Sequence, residues 1–197
     1  MLTSKENDKY IMLEDDTIEY FGIKLYRIKA IKTFSFVNKG DLGGYIANET
    51  NLSFYSECWI WGNAKIWGNA KIWGNAKICD NAEIWGNAEI CDNAEIWGNA
   101  KIWGNAEICD NAKIWGNAEI ININQWFCIE NVGSRKDIIT FFETKEIIYV
   151  SVGCFTGTLL EFEQAVEKTH SNTIYEKEYK SCIELAKIKL LSKEEYK

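Results

Sequence analysis

Residues 61–120 repeat one hexapeptide without interruption: WGNAKI, WGNAKI, WGNAKI, CDNAEI, WGNAEI, CDNAEI, WGNAKI, WGNAEI, CDNAKI and WGNAEI. A fixed short period is typical of proteins in which similar structural units stack on one another. Cys-Asp replaces Trp-Gly in the hexads that begin at Cys79, Cys91 and Cys109. The array therefore predicts a solenoid, and the flanking segments are interpreted outward from it.

Each hexapeptide predicts one short strand followed by one corner. In residues 64–67, Ala and Ile point to one face of an extended strand, while Lys and Trp point to the other. Gly68-Asn69 then turns the chain, because glycine and asparagine tolerate left-handed backbone angles. Strands stacked about 4.8 Å apart would bury the Ala and Ile side chains together.

The pattern Ile-x-x-x-Ala-x, with Asn before Ala, resembles the repeat of left-handed parallel β-helix proteins. That resemblance implies three hexads in each triangular coil, so that residues eighteen apart stack. Counted by whole hexads, the first face carries Trp61, Cys79, Trp97 and Trp115 with the charged residues Lys65, Glu83, Lys101 and Glu119. The second face carries Trp67, Trp85 and Trp103 with Lys71, Glu89 and Glu107. The third face carries Trp73, Cys91 and Cys109 with Lys77, Glu95 and Lys113.

The whole chain is predicted to be mainly β, with a cap at each end of the coils. Counting back in sixes from Ile66 places Ile60, Phe54, Asn48 and Leu42 at the inward position. We therefore expect an N-terminal β-hairpin cap over residues 1–41, a β-helix of about four to five coils over 42–126, and a C-terminal α+β cap over 127–197. The last part predicts a hairpin over 138–152, a capping box over Thr158–Glu161, and two helices.

Composition and the N-terminal residues indicate the compartment and the kind of partner to expect. No apolar run approaches the ~18 residues of a membrane span, and Met1–Asp8 lacks the apolar core of a secretion signal. We therefore expect a cytoplasmic protein whose seven cysteines are reduced thiols. The net charge of −7 shows no basic face, so long nucleic acid is not expected as a partner.

The Asn-Ala repeats and three further segments resemble a group of hexapeptide-repeat proteins encoded by phages and prophages. The segments are Lys24–Ala30, Gly40–Ile46 and Gly153–Thr158. The resemblance implies a setting in a bacterial host cell. We interpret the protein as a non-enzymatic accessory protein that binds a host protein through its β-helix faces or caps, and that inhibits a host defence system such as CRISPR.

The first alternative is an acyltransferase-like enzyme, which hexapeptide repeats also resemble. Such enzymes use a coil histidine as general base, but the only histidine here is His170, at the end of a predicted helix. Cys91-Asp92 and Cys109-Asp110 would stack one rung apart and could hold a metal ion. Variation within a duplicated repeat explains them more simply, so neither a metal nor another cofactor is expected.

The tryptophans of the repeat are the candidate binding residues. Each indole can bury roughly 150–250 Å², so an uncovered set would exceed the apolar patch that a monomer usually exposes. Neighbouring rungs, self-association as a trimer or dimer, or a protein partner could cover them. Base stacking is a further alternative, in which the protein sequesters small nucleotides. The candidates are Trp67, Trp85, Trp103, Trp61, Trp97 and Trp115.

Overall fold

The computed structural model describes residues 7–145 and 147–191, and the predicted ends of both caps, 1–6 and 192–197, lie outside these ranges. A three-sided parallel β-helix of about four coils forms the centre. Each hexad supplies one two-residue strand. The coil strands β4 to β14 are, in chain order, Trp59–Ile60, Lys65–Ile66, Lys71–Ile72, Lys77–Ile78, Glu83–Ile84, Glu89–Ile90, Glu95–Ile96, Lys101–Ile102, Glu107–Ile108, Lys113–Ile114 and Glu119–Ile120.

These strands stack in parallel with a period of eighteen residues, as the repeat predicts. Face A contains β5, β8, β11 and β14; face B contains β4, β7, β10 and β13; face C contains β6, β9 and β12. The register pairs Lys65 with Glu83 and Glu83 with Lys101. Face C brings two acids together, because Glu107 pairs with Glu89. The predicted charge alternation between rungs is therefore confirmed on faces A and B and imperfect on face C.

Two kinds of hydrogen bond run along the axis between rungs. Backbone amides donate to the next rung even at the corners, as Asn69 does to the Gly86 carbonyl at 2.8 Å. The corner asparagines also form side-chain ladders, in which each amide nitrogen donates to the next amide oxygen over 2.9–3.4 Å. Asparagine therefore both turns the chain and links the corners, a ladder known from other in-register stacks.

The core contains the Ala and Ile of each hexad, all of them buried. Alanine comes just after the Gly-Asn or Asp-Asn corner, and isoleucine is the second residue of each two-residue strand. Burial of one isoleucine contributes about 1.5–3 kcal/mol, so the repeated pair supplies most of the apolar stabilisation of the coils.

The N-terminal cap is a β-hairpin joined to face A. Strands β1 (Tyr10–Tyr20) and β2 (Ile23–Ala30) pair antiparallel, with an irregularity between Met12 and Thr17. Strand β3 (Leu42–Ile46) pairs antiparallel with β2 and parallel with β5, so it converts the hairpin into the first rung. The predicted hairpin is confirmed.

The predicted inward positions of the first coil are wrong by two residues. Ile46 lies over Ile66 and Leu52 over Ile72, twenty residues apart, whereas Ile60 lies eighteen residues before Ile78. Two extra residues are therefore accommodated between Leu52 and Ile60. In consequence the counted positions fail at Asn48, Phe54 and Leu42, and Leu42 is 51% exposed.

Lys9 stabilises this irregular segment. Its side chain is buried, and its Nζ donates to the carbonyls of Ser53, Ser56 and Cys58 at 2.6–2.8 Å. Its charge also lies over the Phe34 ring. Burial is the main cause that lowers the pKa of Lys9. The ammonium group thus satisfies carbonyls that the insertion removes from the regular ladder.

The C-terminal cap is a four-stranded antiparallel sheet covered by two helices. Its strands are β15 (Trp126–Val132), β16 (Asp137–Thr144), β17 (Ile147–Val152) and β18 (Phe155–Thr158). Helices α1 (Leu159–His170) and α2 (Ile174–Leu191) follow, and Thr158 with Glu161 forms the predicted capping box. The predicted hairpin corresponds to β16 and β17, while β15 and β18 were not predicted.

The cap sheet separates the coils from the helices. Phe142 and Tyr149 contact Trp115 of the last coil, while Phe141 and Val150 pack in the second core with both helices. None of the described helices combines the length and apolar composition that a membrane span requires.

Rung stacking predicts unequal effects of alanine at two equivalent corners. Gly98 and Gly116 both have left-handed φ, +78° and +71°, so alanine strains each by about 1–2 kcal/mol. A Cβ at Gly98 would lie 2.9 Å from the Gly116 nitrogen, whereas a Cβ at Gly116 meets nothing within 4 Å. We expect Gly98→Ala to lower the free energy of unfolding by about 1–3 kcal/mol more than Gly116→Ala, measured by chemical denaturation. Equal losses would contradict the tight rung contact.

Candidate binding surface

Trp67, Trp85 and Trp103 form one continuous stack along face A. Their ring centroids are 5.0 Å apart at each step, and the planes are parallel within 3°. The eighteen-residue register places each indole one rung from the next, and the flat rings then stack with an offset. We call these three residues the indole column. Trp67 is buried, whereas Trp85 and Trp103 are half-buried.

The N-terminal cap covers the first indole of the column. Tyr20 packs edge-on against Trp67 with ring centroids 5.5 Å apart, and Leu25 and Tyr45 complete the cluster. The Tyr20 hydroxyl donates to Glu83. Burial, followed by this bond and the Glu83 charge, raises the pKa of Tyr20 to about 12. The hydroxyl therefore stays protonated near neutral pH and keeps its role as donor.

The charges beside the indole column differ from the predicted set. The Lys65 ammonium lies over the Tyr20 ring and 3.9 Å from Glu83, beside Trp67. The straight side of each coil begins at the Ala of one hexad and ends at the Trp of the next hexad. Counting by whole hexads therefore assigns every tryptophan to the neighbouring face. The column consequently shares face A with Lys65, Glu83, Lys101 and Glu119, and not with Lys71, Glu89 and Glu107.

The other candidate tryptophans lie on face B and do not stack into a column. Trp61 is half-buried and lines a cavity of about 260 Å³ with Phe36 and Lys77 of the same face. Trp115 packs edge-on against the cap residues Phe142 and Tyr149. Trp97, which lies between Trp61 and Trp115 in the sequence, is also half-buried. Each of the six candidates is thus at least partly covered within one chain.

The indole column ends in exposed aliphatic side chains. Ile121 lies one rung beyond Trp103, and a Cβ on Gly104 would lie 2.8 Å from its Cγ2 atom. Ile121 is 42% exposed and Ile123 is 54% exposed. Trp85, Trp103 and Ile121 follow one another in this column, and Ile123 comes two residues after Ile121 in the chain. We call these four residues the face A strip.

The stacked rings restrict how a nucleotide could bind. Both faces of Trp85 are covered by indoles at 5.0 Å, so a base cannot insert there without separating two rungs. A base stacks on an aromatic face, and the column leaves such a face only at its Trp103 end. The arrangement thus disfavours base stacking along the column.

Two cysteines of face C are not the free thiols that the sequence analysis predicts. Cys91 and Cys109 form a disulfide bond between adjacent rungs, with Cα atoms 4.7 Å apart. Stacking brings the two Cβ atoms within bridging range, which reasoning from the compartment alone did not consider. Five further cysteines are free thiols, and burial is the main cause that raises the pKa of Cys79 to about 11.

A cavity of about 430 Å³ in the C-terminal cap was not predicted. Arg135, Asp137, Cys154 and His170 line it, together with aromatic side chains. His170 ends α1, as predicted, and its ring packs on Tyr179 at 5.3 Å. Among the described contacts, no hydrogen bond joins the Cys154 thiol to the His170 ring, so the cavity lacks a paired nucleophile and base. Only the glycine-rich turn at Gly153 signalled this loop in the sequence.

Comparison with known proteins supports the repeat alone. Residues 87–122 match the family described as bacterial transferase hexapeptide (six repeats). No curated protein matches the chain. The match covers part of the coils and neither cap.

Stacking predicts that the middle indole stabilises the coils more than an unstacked one. Trp85 contacts an indole on each face, and each such contact contributes about 0.5–1.5 kcal/mol beyond burial. We expect Trp85→Ala to destabilise the protein by about 1–3 kcal/mol more than Trp97→Ala, which is also half-buried but unstacked. Denaturation curves of the two variants measure the difference, and a Trp97→Ala loss as large as that of Trp85→Ala would argue against the column.

Proposed function

We propose that this chain, a hexapeptide-repeat β-helix protein, is a non-enzymatic scaffold that binds another protein through face A. The observation that carries the proposal is the face A strip, in which the half-buried indoles of Trp85 and Trp103 are followed in the same column by the exposed Ile121. Tryptophan is enriched among the residues that dominate binding energy in protein interfaces. Its rigid ring here is already ordered by stacking, so docking would cost little conformational entropy.

Charged residues border the strip, as they do at the rim of many protein interfaces. Glu119 pairs with Lys145 at 3.4 Å on one side, and Lys101 lies in the next rung of the same face. The apolar strip favours a partner whose docking surface is apolar at its centre, and the net charge of −7 over the whole chain favours a partner that is basic overall.

The resemblance to phage and prophage proteins points to a host protein of the bacterial cytoplasm as the partner. A small protein that blocks a host defence system needs a rigid surface more than a catalytic site. The coils meet this need, because every rung is fixed by hydrogen bonds to its neighbours.

The repeat match to bacterial transferases favours acyl transfer as the second candidate. The sequence places its only histidine in the C-terminal cap, so the coils supply no imidazole base. Titration with acetyl-coenzyme A in a calorimeter distinguishes the two functions. Saturable binding would support the transferase, whereas a scaffold gives no heat of binding.

The scaffold predicts that the exposed end of the strip is needed to retain a host protein. We would pass bacterial host lysate over the immobilised chain, identify the retained protein by mass spectrometry and measure its affinity with both components purified. Ile121→Ser with Ile123→Ser should weaken that affinity by about tenfold or more, because the apolar centre of the interface is lost.

A matched control comes from the C-terminal cap. Ile147 and Leu160 are exposed by 47% and 64%, similar to the pair in the strip, and both line a cavity between β17 and the two cap helices that contains no residue of the strip. Ile147→Ser with Leu160→Ser should leave the affinity unchanged. If the control pair weakens binding and the strip pair does not, the caps carry the interaction and face A does not.

A further inference from the structure

Face C brings two Cys-Asp hexads together. Cys91 and Cys109 occupy the same column in adjacent rungs, and Cys91 is buried. The Asp92 Oδ2 atom lies 3.5 Å from the Cys91 sulfur and accepts a hydrogen bond from the Asp110 amide at 3.2 Å. The two sulfurs and this oxygen all lie within 4.8 Å of one another.

We propose that the reduced Cys91–Cys109 pair, with Asp92, forms a site for a thiophilic divalent cation of the Zn²⁺ class. The sequence by itself favours no metal, because repeat duplication alone explains recurring Cys-Asp hexads. Duplication explains the residues and the position of each aspartate, but only this column places a second sulfur beside the carboxylate among the described residues.

The spacing fits tetrahedral coordination. Zinc–sulfur bonds of about 2.3 Å and zinc–oxygen bonds of about 2.1 Å place sulfur and oxygen about 3.6 Å apart, and two sulfurs about 3.8 Å apart. The Cys91 sulfur and Asp92 oxygen are already 3.5 Å apart. Thiols on backbones 4.7 Å apart reach the required sulfur separation by a small rotation once the disulfide bond is broken.

The corner holds the carboxylate in place. Asp92 adopts a left-handed φ of +53° at the position that glycine fills in most hexads. Its side chain turns toward the next rung and is fixed there by the Asp110 amide. This bond orients one carboxylate oxygen, as an outer-shell hydrogen bond does in known metal sites. Three protein ligands leave a fourth position for water.

The site can bind a cation only after the Cys91–Cys109 disulfide bond is reduced. A dithiol reductant, such as a thioredoxin-class protein, transfers two electrons and two protons to the disulfide and leaves as its own disulfide. Cys91 and Cys109 become thiols, and cation binding then releases both protons as the sulfurs coordinate. In the oxidised chain the same sulfurs are bonded to each other and link two rungs.

Cadmium titration of the whole chain tests the site, because cadmium–thiolate bonds absorb in the near ultraviolet. The protein is reduced with dithiothreitol, desalted without oxygen and titrated with Cd²⁺. We expect one equivalent to bind with a thiolate-to-metal band and with displacement by Zn²⁺. The oxidised protein should give no such band, and neither should Cys91→Ser or Cys109→Ser after reduction.

The third Cys-Asp hexad provides matched controls. Cys79 lies between Trp61 and Trp97 in its column, so no second sulfur stacks on it, and Asp80 accepts from the Gly98 amide as Asp92 does from Asp110. Asp92→Asn should weaken cadmium binding by at least about tenfold, whereas Asp80→Asn and Cys79→Ser should not change it.

Far-ultraviolet circular dichroism confirms that each variant is folded. The proposal is wrong if the reduced chain shows no thiolate band, or if Cys79→Ser removes the band while Cys91→Ser retains it. If reduced Asp92→Asn binds cadmium as tightly as the unsubstituted chain, the carboxylate is not a ligand and the three-ligand site is wrong.

Discussion

The structure depends on one constraint, the in-register hydrogen bonding of each rung to the rung eighteen residues later. Backbone amides of strands and corners donate along the axis, and the corner asparagines repeat the same spacing with their side chains. Because this register holds from Trp59 onward, each coil residue faces the residue eighteen positions away on the next rung. Stacked identical side chains then interact repeatedly, as in other in-register β structures.

The same hexapeptide therefore acquires different chemistry from column to column. On face A, tryptophan follows tryptophan and the indoles stack. On face B, Cys79 separates Trp61 from Trp97, and the next ring, Trp115, packs edge-on against the cap residues Phe142 and Tyr149. No stack forms among the described rings of that face. On face C, cysteine follows cysteine, and a disulfide bond joins two rungs. The order of Trp-Gly and Cys-Asp hexads, together with the cap that packs on the last rung, thus determines where an indole column or a sulfur pair lies.

The sequence predicted the coils well because period, strand and corner depend only on neighbouring residues. The prediction failed where extra residues interrupt the six-residue period, and where contacts between residues distant in sequence determine the structure. Two extra residues before Ile60 shifted the inward positions, and nothing local marks them, since Lys9 stabilises them from about fifty positions away. Counting by hexads moved Trp67 to the wrong face, because a straight side begins in one hexad and ends in the next. The disulfide was missed because the cysteines were judged by compartment and not by distance.

Coverage of the tryptophans within one chain has a direct consequence for assembly. The caps enclose Trp67 and Trp115, and neighbouring rungs cover the faces of Trp85, so self-association is not needed to bury them. The indole column leads into Ile121, which is exposed, and the scaffold hypothesis requires the face A strip to be free for another protein.

The mass of the purified chain in solution tests this most directly. Light scattering during size-exclusion chromatography at micromolar concentration should give the monomer mass of 22.7 kDa. A stable particle of three times that mass would contradict the hypothesis, because the faces assigned to a partner would then be contacts between copies of the chain.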